Sequence, residues 1–138
     1  MTTIFADAKS GVMVCDSKTT LGGEWFASTK VVRVGDELIG FSGTATEAER
    51  WLKWYTSGQN GPKPKVENSN ALLLGPKGLR VLDSSGGFTA VERGFMGTGS
   101  GGTCATAAFM AGVDAETAVH IACQIDAQSG GDVIVHTL

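Results

Sequence analysis

The chain has 138 residues, 42% of them hydrophobic, with a formal net charge of −3 and a pI near 5.3. This is enough for one globular domain over residues 1–138 with a core of its own, and the absence of a clustered Lys/Arg stripe speaks against a nucleic-acid partner. No apolar stretch approaches the roughly 20 residues of a membrane span, and the N-terminus lacks a signal-peptide pattern, so a cytoplasmic protein with no membrane partner is expected. Cys15, Cys104 and Cys123 are odd in number, far apart and without metal-ligand spacing. They are expected as small core residues, with no bound metal or cofactor. Twenty glycines, eight of them in the adjacent pairs 22–23, 86–87, 101–102 and 130–131, lie mostly between periodic segments, which marks tight turns and close backbone approaches and not low complexity.

Alternation predicts strands over residues 3–9, 12–20, 25–34 and 37–42, joined by turns at Ser10-Gly11, Leu21-Gly22-Gly23 and Gly35-Asp36. Short turns between four strands predict one antiparallel meander. A hairpin centred near Ser10 sets residue 2 opposite residue 18, and one centred on Gly23 sets Asp16 opposite Lys30. Thr2, Asp16, Lys18 and Lys30 would then converge at one end of the sheet, provided the register holds to the residue. Residues 46–55 read as a helix with Thr46 as N-cap and Trp51, Leu52, Trp54 and Tyr55 on its apolar face. Pro62 and Pro64 break the polar loop that follows. Short strands are predicted over 71–74, 79–83 and 88–92, with turns at Gly75-Pro76-Lys77-Gly78 and Ser84-Ser85-Gly86-Gly87. Helices follow over 103–111 and, capped by Asp114, over 115–127, before a last strand over 132–137. The order predicts an α+β sandwich and not a βαβ repeat.

Met1-Thr2-Thr3 carries the first chemical signal. If Met1 is removed, Thr2 holds a hydroxyl and a free α-amine on one residue, and the amine can take the hydroxyl proton directly or through one water. An α-amine titrates near 7.7–8.0, so part of it is free base at neutral pH. On these residues alone an exposed strand start is the simpler reading. Gly97-Thr98-Gly99-Ser100-Gly101-Gly102 fits the dinucleotide fingerprint G-x-G-x-x-G, but the acidic residue required about 20 positions on, after a second parallel strand, is missing. The glycines more simply let backbone and Ser100 approach another group. His120 and His136 have no partner at metal spacing, and Gly40-Phe41-Ser42-Gly43 does not have the spacing of a nucleophile elbow. Gly43, after the fourth strand, could turn a backbone N–H toward Thr2 as an oxyanion donor.

Six separated segments, in order, resemble the proteasome β-subunit family of N-terminal nucleophile (Ntn) hydrolases, with HslV-type peptidases the nearest form. They are Thr2-Thr3-Ile4, Val14-Cys15-Asp16-Ser17-Lys18, Ser28-Thr29-Lys30-Val31-Val32, Ile39-Gly40-Phe41-Ser42-Gly43, Gly97-Thr98-Gly99-Ser100-Gly101 and Asp126-Ala127-Gln128-Ser129-Gly130-Gly131. The resemblance implies an αββα four-layer sandwich of two antiparallel sheets. It implies a threonine-type endopeptidase in which Thr2 is the nucleophile and its amine the base. Lys30, held by Asp16, would assist proton transfer, Gly43 would bind the oxyanion, and Ser100, Asp126 and Ser129 would position the terminus and a water. The substrate implied is a peptide or unfolded protein.

The chain departs from the family after Gly43, where only one short helix and a Pro-containing loop fit in place of two long helices. A reduced helical layer on one side is therefore expected. Relatives make ring contacts and dock an ATPase unfoldase through those helices, so a homo-oligomeric ring, an ATPase partner and a protein-sized substrate stay open. Two other functions stay open as well: a non-catalytic assembly subunit that retains Met1, and an Ntn amidase acting on a small amide.

Overall fold

The computed structural model describes residues 2–83 and 85–138. Met1, whose removal the sequence reading requires, and Ser84 of the predicted turn lie outside the described residues. Strands β1 (Ile4–Asp7) and β2 (Val12–Cys15) form a hairpin. Strands β3 (Lys18–Leu21) and β4 (Glu24–Ala27) form a second, while β5 (Val31–Val34) and β6 (Glu37–Gly43) lead into helix α1 (Ala45–Thr56). Strands β7 (Ser69–Gly75), β8 (Gly78–Leu82), β9 (Phe88–Ala90) and β10 (Phe95–Thr98) follow. Helices α2 (Gly102–Met110) and α3 (Ala115–Ile125) and strand β11 (Ile134–Thr137) complete the order. One antiparallel sheet runs β10-β1-β2-β11 and another β5-β6-β7-β8-β9, with β3-β4 as a separate two-stranded piece.

The strand period of two explains the layers. Successive residues of β1 alternate, with Ile4 and Ala6 facing the second sheet and Phe5 facing the helices. Ile4, Ala6, Met13 and Cys15 meet Val31, Leu38, Leu72 and Leu74 between the sheets. Phe5 and Val14 pack under Ala105, Ala118, Val119 and Ala122 of α2 and α3. On the far side Ile39, Ala71 and Leu73 pack against Trp51 of α1 and Val66 of the following loop. This is an α+β sandwich of helices, sheet, sheet and one helix, with the thinner helical layer on the α1 side.

The predicted single meander is corrected. Its second and third strands each break in two, at Asp16-Ser17 and again at residues 28–30, so the segments divide between three sheets. Backbone groups at the first break are taken by the distant Gly130 carbonyl, which accepts the N–H groups of Ser17 and Lys18 at 3.1 Å. Both predicted registers are off by one: Ile4 lies opposite Cys15, and Lys18 opposite Ala27. The helix cap also moves. Thr44, not Thr46, is the N-cap, and its side chain makes no cap hydrogen bond. Instead Glu47 in the first turn accepts from the N–H groups of Glu67 and Asn68 and from Ser69 Oγ, which ties α1 to the start of β7. Strand β10 was not foreseen, because Gly97 and Gly99 mask a strand that pairs along its backbone with β1. Helix α3 ends at Ile125, two residues short of the expected boundary, with Asp126 as an extended C-cap.

Trp51 is fully buried, stacked on Tyr55 at 4.6 Å between ring centroids and edge-on to Phe41 and Phe88. It is the main apolar anchor of the thin layer. Trp51→Ala is expected to lower unfolding free energy by about 3–5 kcal/mol, read from urea denaturation midpoints at unchanged slope.

Candidate active site

The site is assembled where strands stop being strands. At the end of β2 the chain leaves the ladder, and the Asp16 carboxylate turns inward with no solvent exposure. Three donors surround it: the Thr3 N–H at 2.9 Å and Lys30 Nζ at 2.8 Å on Oδ1, and the Gly130 N–H at 3.0 Å on Oδ2. A buried carboxylate is stable only with such partners, and here they come from three distant segments. Lys30 also donates to the Lys18 carbonyl. The predicted convergence of Asp16 and Lys30 therefore holds although the register does not, because a long lysine side chain spans the break where strand parity no longer applies. Lys18 goes elsewhere, its Nζ donating to the Ala127 carbonyl at 3.0 Å.

Thr2 sits between this pair and the glycine turn. Its carbonyl accepts from the Gly101 N–H at 3.1 Å, and its N–H donates to Ser100 Oγ at 3.3 Å. A Cβ added to Gly99, whose φ is +86°, would lie 2.2 Å from the Thr2 carbonyl oxygen, and one on Gly101 would lie 1.8 Å from Thr3 Oγ1. The glycine run thus serves close approach to the N-terminal segment, as its residues suggest, and not a nucleotide.

Ser100 Oγ and Ser129 Oγ each donate to Asp126 Oδ2 at 2.6 Å, and the Gln128 N–H donates to Oδ1 at 3.1 Å. Burial pushes Asp126 up, but the hydrogen bonds from Ser100, Ser129 and Gln128 outweigh it and hold the carboxyl below its ordinary 3.8. A serine hydroxyl has one hydrogen; Ser100 Oγ lies 2.6 Å from Asp126 Oδ2 and 3.4 Å from the Thr2 carbonyl, and the shorter, charge-assisted bond takes most of it, as it does for Ser129. Thr3 Oγ1, 2.7 Å from Ser129 Oγ, is then the donor of that pair, and Ser100 accepts from the Thr2 nitrogen.

In front of Thr2 lies a cleft of about 400 Å³, lined also by Lys30 and Gly43. Gly43 has a φ of +110°, and a Cβ there would lie 2.2 Å from the Asn68 carbonyl oxygen, so only glycine fits against β7. The seven residues singled out from sequence thus form one connected cluster: Thr2, Lys30 and Gly43 at the cleft, with Asp16, Ser100, Asp126 and Ser129 behind. Sequence reading missed the hydroxyl rim, in which Thr19 and Ser28 are hydrogen-bonded to each other beside Thr20 and Thr29, and the α1 wall of Ala45, Ala48, Glu49 and Leu52. The i, i+3, i+4, i+7 spacing of that wall was the available signal. The cysteines stay out of the cleft. Burial, reinforced by the Asp16 charge, pushes the thiols of Cys15 and Cys123 up to about 11, where they are protonated and poorly nucleophilic.

No family model matches the chain, and no curated protein matches it in sequence. Solved structures do match it in shape. Thiobacillus denitrificans BPH in complex with epoxomicin superposes with a TM-score of 0.76 at 19% identity, covering 99% of this chain and 97% of that one. Thiobacillus denitrificans BPH by itself gives 0.75 at 18% identity, covering 100% and 97%. HslV from Trypanosoma brucei gives 0.75 at 23% identity, with 97% of each chain covered. The chain has the HslV-type, proteasome-like Ntn fold. At these identities the likeness extends to architecture and no further, and among the described residues no helix is long and apolar enough to cross a membrane.

The lowered pKa of Asp126 has a stability consequence. A carboxyl depressed in the folded state stabilises the fold above its ordinary pKa, and that contribution fades as pH falls through the folded value. The stability advantage of wild type over Asp126→Asn is therefore expected to be complete at neutral pH and to shrink as pH falls below 3.8, read by thermal unfolding across the acid range.

Proposed function

We propose that this protein is an N-terminal threonine peptidase. Removal of Met1 leaves the Thr2 nitrogen as a primary amine. That amine takes the Oγ1 proton, directly or through one water, as Oγ1 attacks the carbonyl carbon of a peptide bond. The oxyanion is received by the Gly43 N–H at the cleft wall. The amine then gives its proton to the departing amino group, the C–N bond breaks and an ester remains on Thr2. Water, deprotonated by the same amine, hydrolyses the ester and restores the hydroxyl. Lys30 is a cation at the same cleft, and a cation favours both the free amine and the developing alkoxide.

The observation that carries this reading is the Thr2 nitrogen 3.3 Å from Ser100 Oγ, which donates to Asp126 at 2.6 Å. An amine in that position donates one hydrogen backward and keeps its lone pair for Oγ1. A protein of the same fold, BPH, takes epoxomicin as a ligand, which makes that compound the natural probe for this cleft. Leu21, Trp25 and Phe26, exposed on the β3–β4 hairpin, give an apolar surface of the kind that assembly into a homo-oligomeric ring would cover.

Intact mass should show the loss of one methionine, and epoxomicin should add covalently at Thr2. Thr2→Ala should lower hydrolysis of a short peptide amide by about 10³-fold or more with the fold intact, whereas Thr2→Ser should retain turnover. Lys30→Ala should abolish turnover and also lower stability by about 3–5 kcal/mol, because it leaves a buried carboxylate unpaired. Retention of Met1 with no labelling at Thr2 would leave a non-catalytic assembly subunit instead.

A further inference from the structure

A second polar connection lies behind the cleft, between the two sheets. Strand alternation turns Leu38, Gly40 and Ser42 of β6 toward the first sheet, where they meet Ile4 of β1 and Met96 and Thr98 of β10. The approach is close: a Cβ on Gly40 would lie 2.9 Å from Met13 Sδ and 3.0 Å from Ile4 Cγ2. Two residues further on, the row ends in a pair of hydroxyls. Ser42 Oγ and Thr98 Oγ1 are hydrogen-bonded at 3.0 Å, and both residues are buried. The rest of this contact is apolar, made by Ile4, Met13, Leu38, Leu72 and Leu74. Apolar burial has no direction and tolerates a small slide of one face over the other, whereas a hydrogen bond weakens steeply with distance and angle. Each hydroxyl also stands one residue before a glycine of the candidate site. Ser42 precedes Gly43, which lies against Asn68 and Ser69 at the start of β7, and Thr98 precedes Gly99, packed on the Thr2 carbonyl.

We infer that Ser42 and Thr98 are a positioning pair, whose hydrogen bond sets the gap between the Gly43 N–H and Thr2. The inference rests on the peptidase reading above and adds to it two residues that act through Gly43 and Gly99. Stability alone gives little reason for the pair, because alanine at 42 and valine at 98 would fill nearly the same space with no polar atom to satisfy. What the apolar pair would lack is direction. The bond ties the strand that ends in the oxyanion donor to the strand that leads into the turn under Thr2. An oxyanion exists only in the transition state, so a displaced donor slows turnover and leaves substrate binding as it was. A small displacement costs less than the roughly 10²–10³-fold lost when such a donor is removed outright.

The test uses the Met-free protein and a short peptide amide, with active sites counted by epoxomicin labelling in intact mass. Ser42→Ala, Thr98→Val and the double variant should each lower kcat about tenfold with KM unchanged. The double variant should be no slower than either single one, since all three lose the same bond. Its thermal midpoint should lie above theirs, because it leaves neither hydroxyl buried alone. Thr98→Ser, which keeps the hydroxyl, should hold kcat near that of wild type. Unchanged kcat in the double variant, a loss carried by KM, or an equal loss in Thr98→Ser overturns the positioning role and leaves the peptidase reading standing. A wild type that hydrolyses no peptide and takes no label overturns the peptidase reading, and the positioning role with it.

Discussion

One buried carboxylate organises this end of the molecule. Asp16 has no solvent exposure, and its charge is met by the N-terminal segment through Thr3, by the segment before β5 through Lys30, and by the loop before β11 through Gly130. Removing any one partner would strand polar atoms in an interior where water cannot replace it. The same carboxylate therefore holds three chain segments in register and fixes a cation at the wall of the cleft. An ion pair of this kind is weak evidence for stability, since an apolar replacement of similar volume often does as well. Its better explanation is positional, because no apolar group would hold a positive charge beside Thr2.

The breaks in the sheet follow from the same requirement. Had β2 continued through Asp16 into β3, strand alternation would have fixed which face each side chain occupies and tied the amide groups of residues 16–18 into a ladder. Leaving the ladder frees those groups for the Gly130 carbonyl and lets the carboxylate turn inward. The glycines at 99 and 101 complete the arrangement from the other side, since backbone packed against Thr2 and Thr3 leaves no room for a Cβ. The irregular stretches at residues 16–17, 28–30, 99–101 and 126–131 meet at the candidate site, and the regular core of Ile4, Leu72, Leu73 and Leu74 lies behind them.

Much of this was legible in the residues. Alternation in β1 and β6, the Asp114 cap on α3 and the Gly75–Gly78 turn carry local signals strong enough to place them. The seven candidate site residues stand in spaced motifs along the sequence, and the structure gathers them around Thr2. What could not be read follows from long-range contacts. The split of the meander depends on Gly130, more than 100 residues away from Ser17. The N-cap shift to Thr44 accompanies the capture of Glu47 by residues 67–69, and β10 is a strand only because β1 lies beside it. The off-by-one registers had no consequence for the Asp16–Lys30 contact, since it forms outside the ladders.

The network behind Thr2 sets a limit on what the site can do. With Asp126 ionised, the short bonds from Ser100 and Ser129 hold their hydroxyl protons on its carboxylate, and the longer contact from Ser100 Oγ runs to the Thr2 carbonyl at 3.4 Å. A neutral Asp126 would hold those protons less firmly and leave a serine hydrogen available to the N-terminal segment. The lowered pKa of Asp126 thereby orders the protons beside the Thr2 nitrogen. Two serines sharing one carboxylate oxygen at 2.6 Å make charge-assisted bonds, stronger than bonds to a neutral acceptor, and this strength is what keeps both hydroxyls turned away from Thr2 and Thr3.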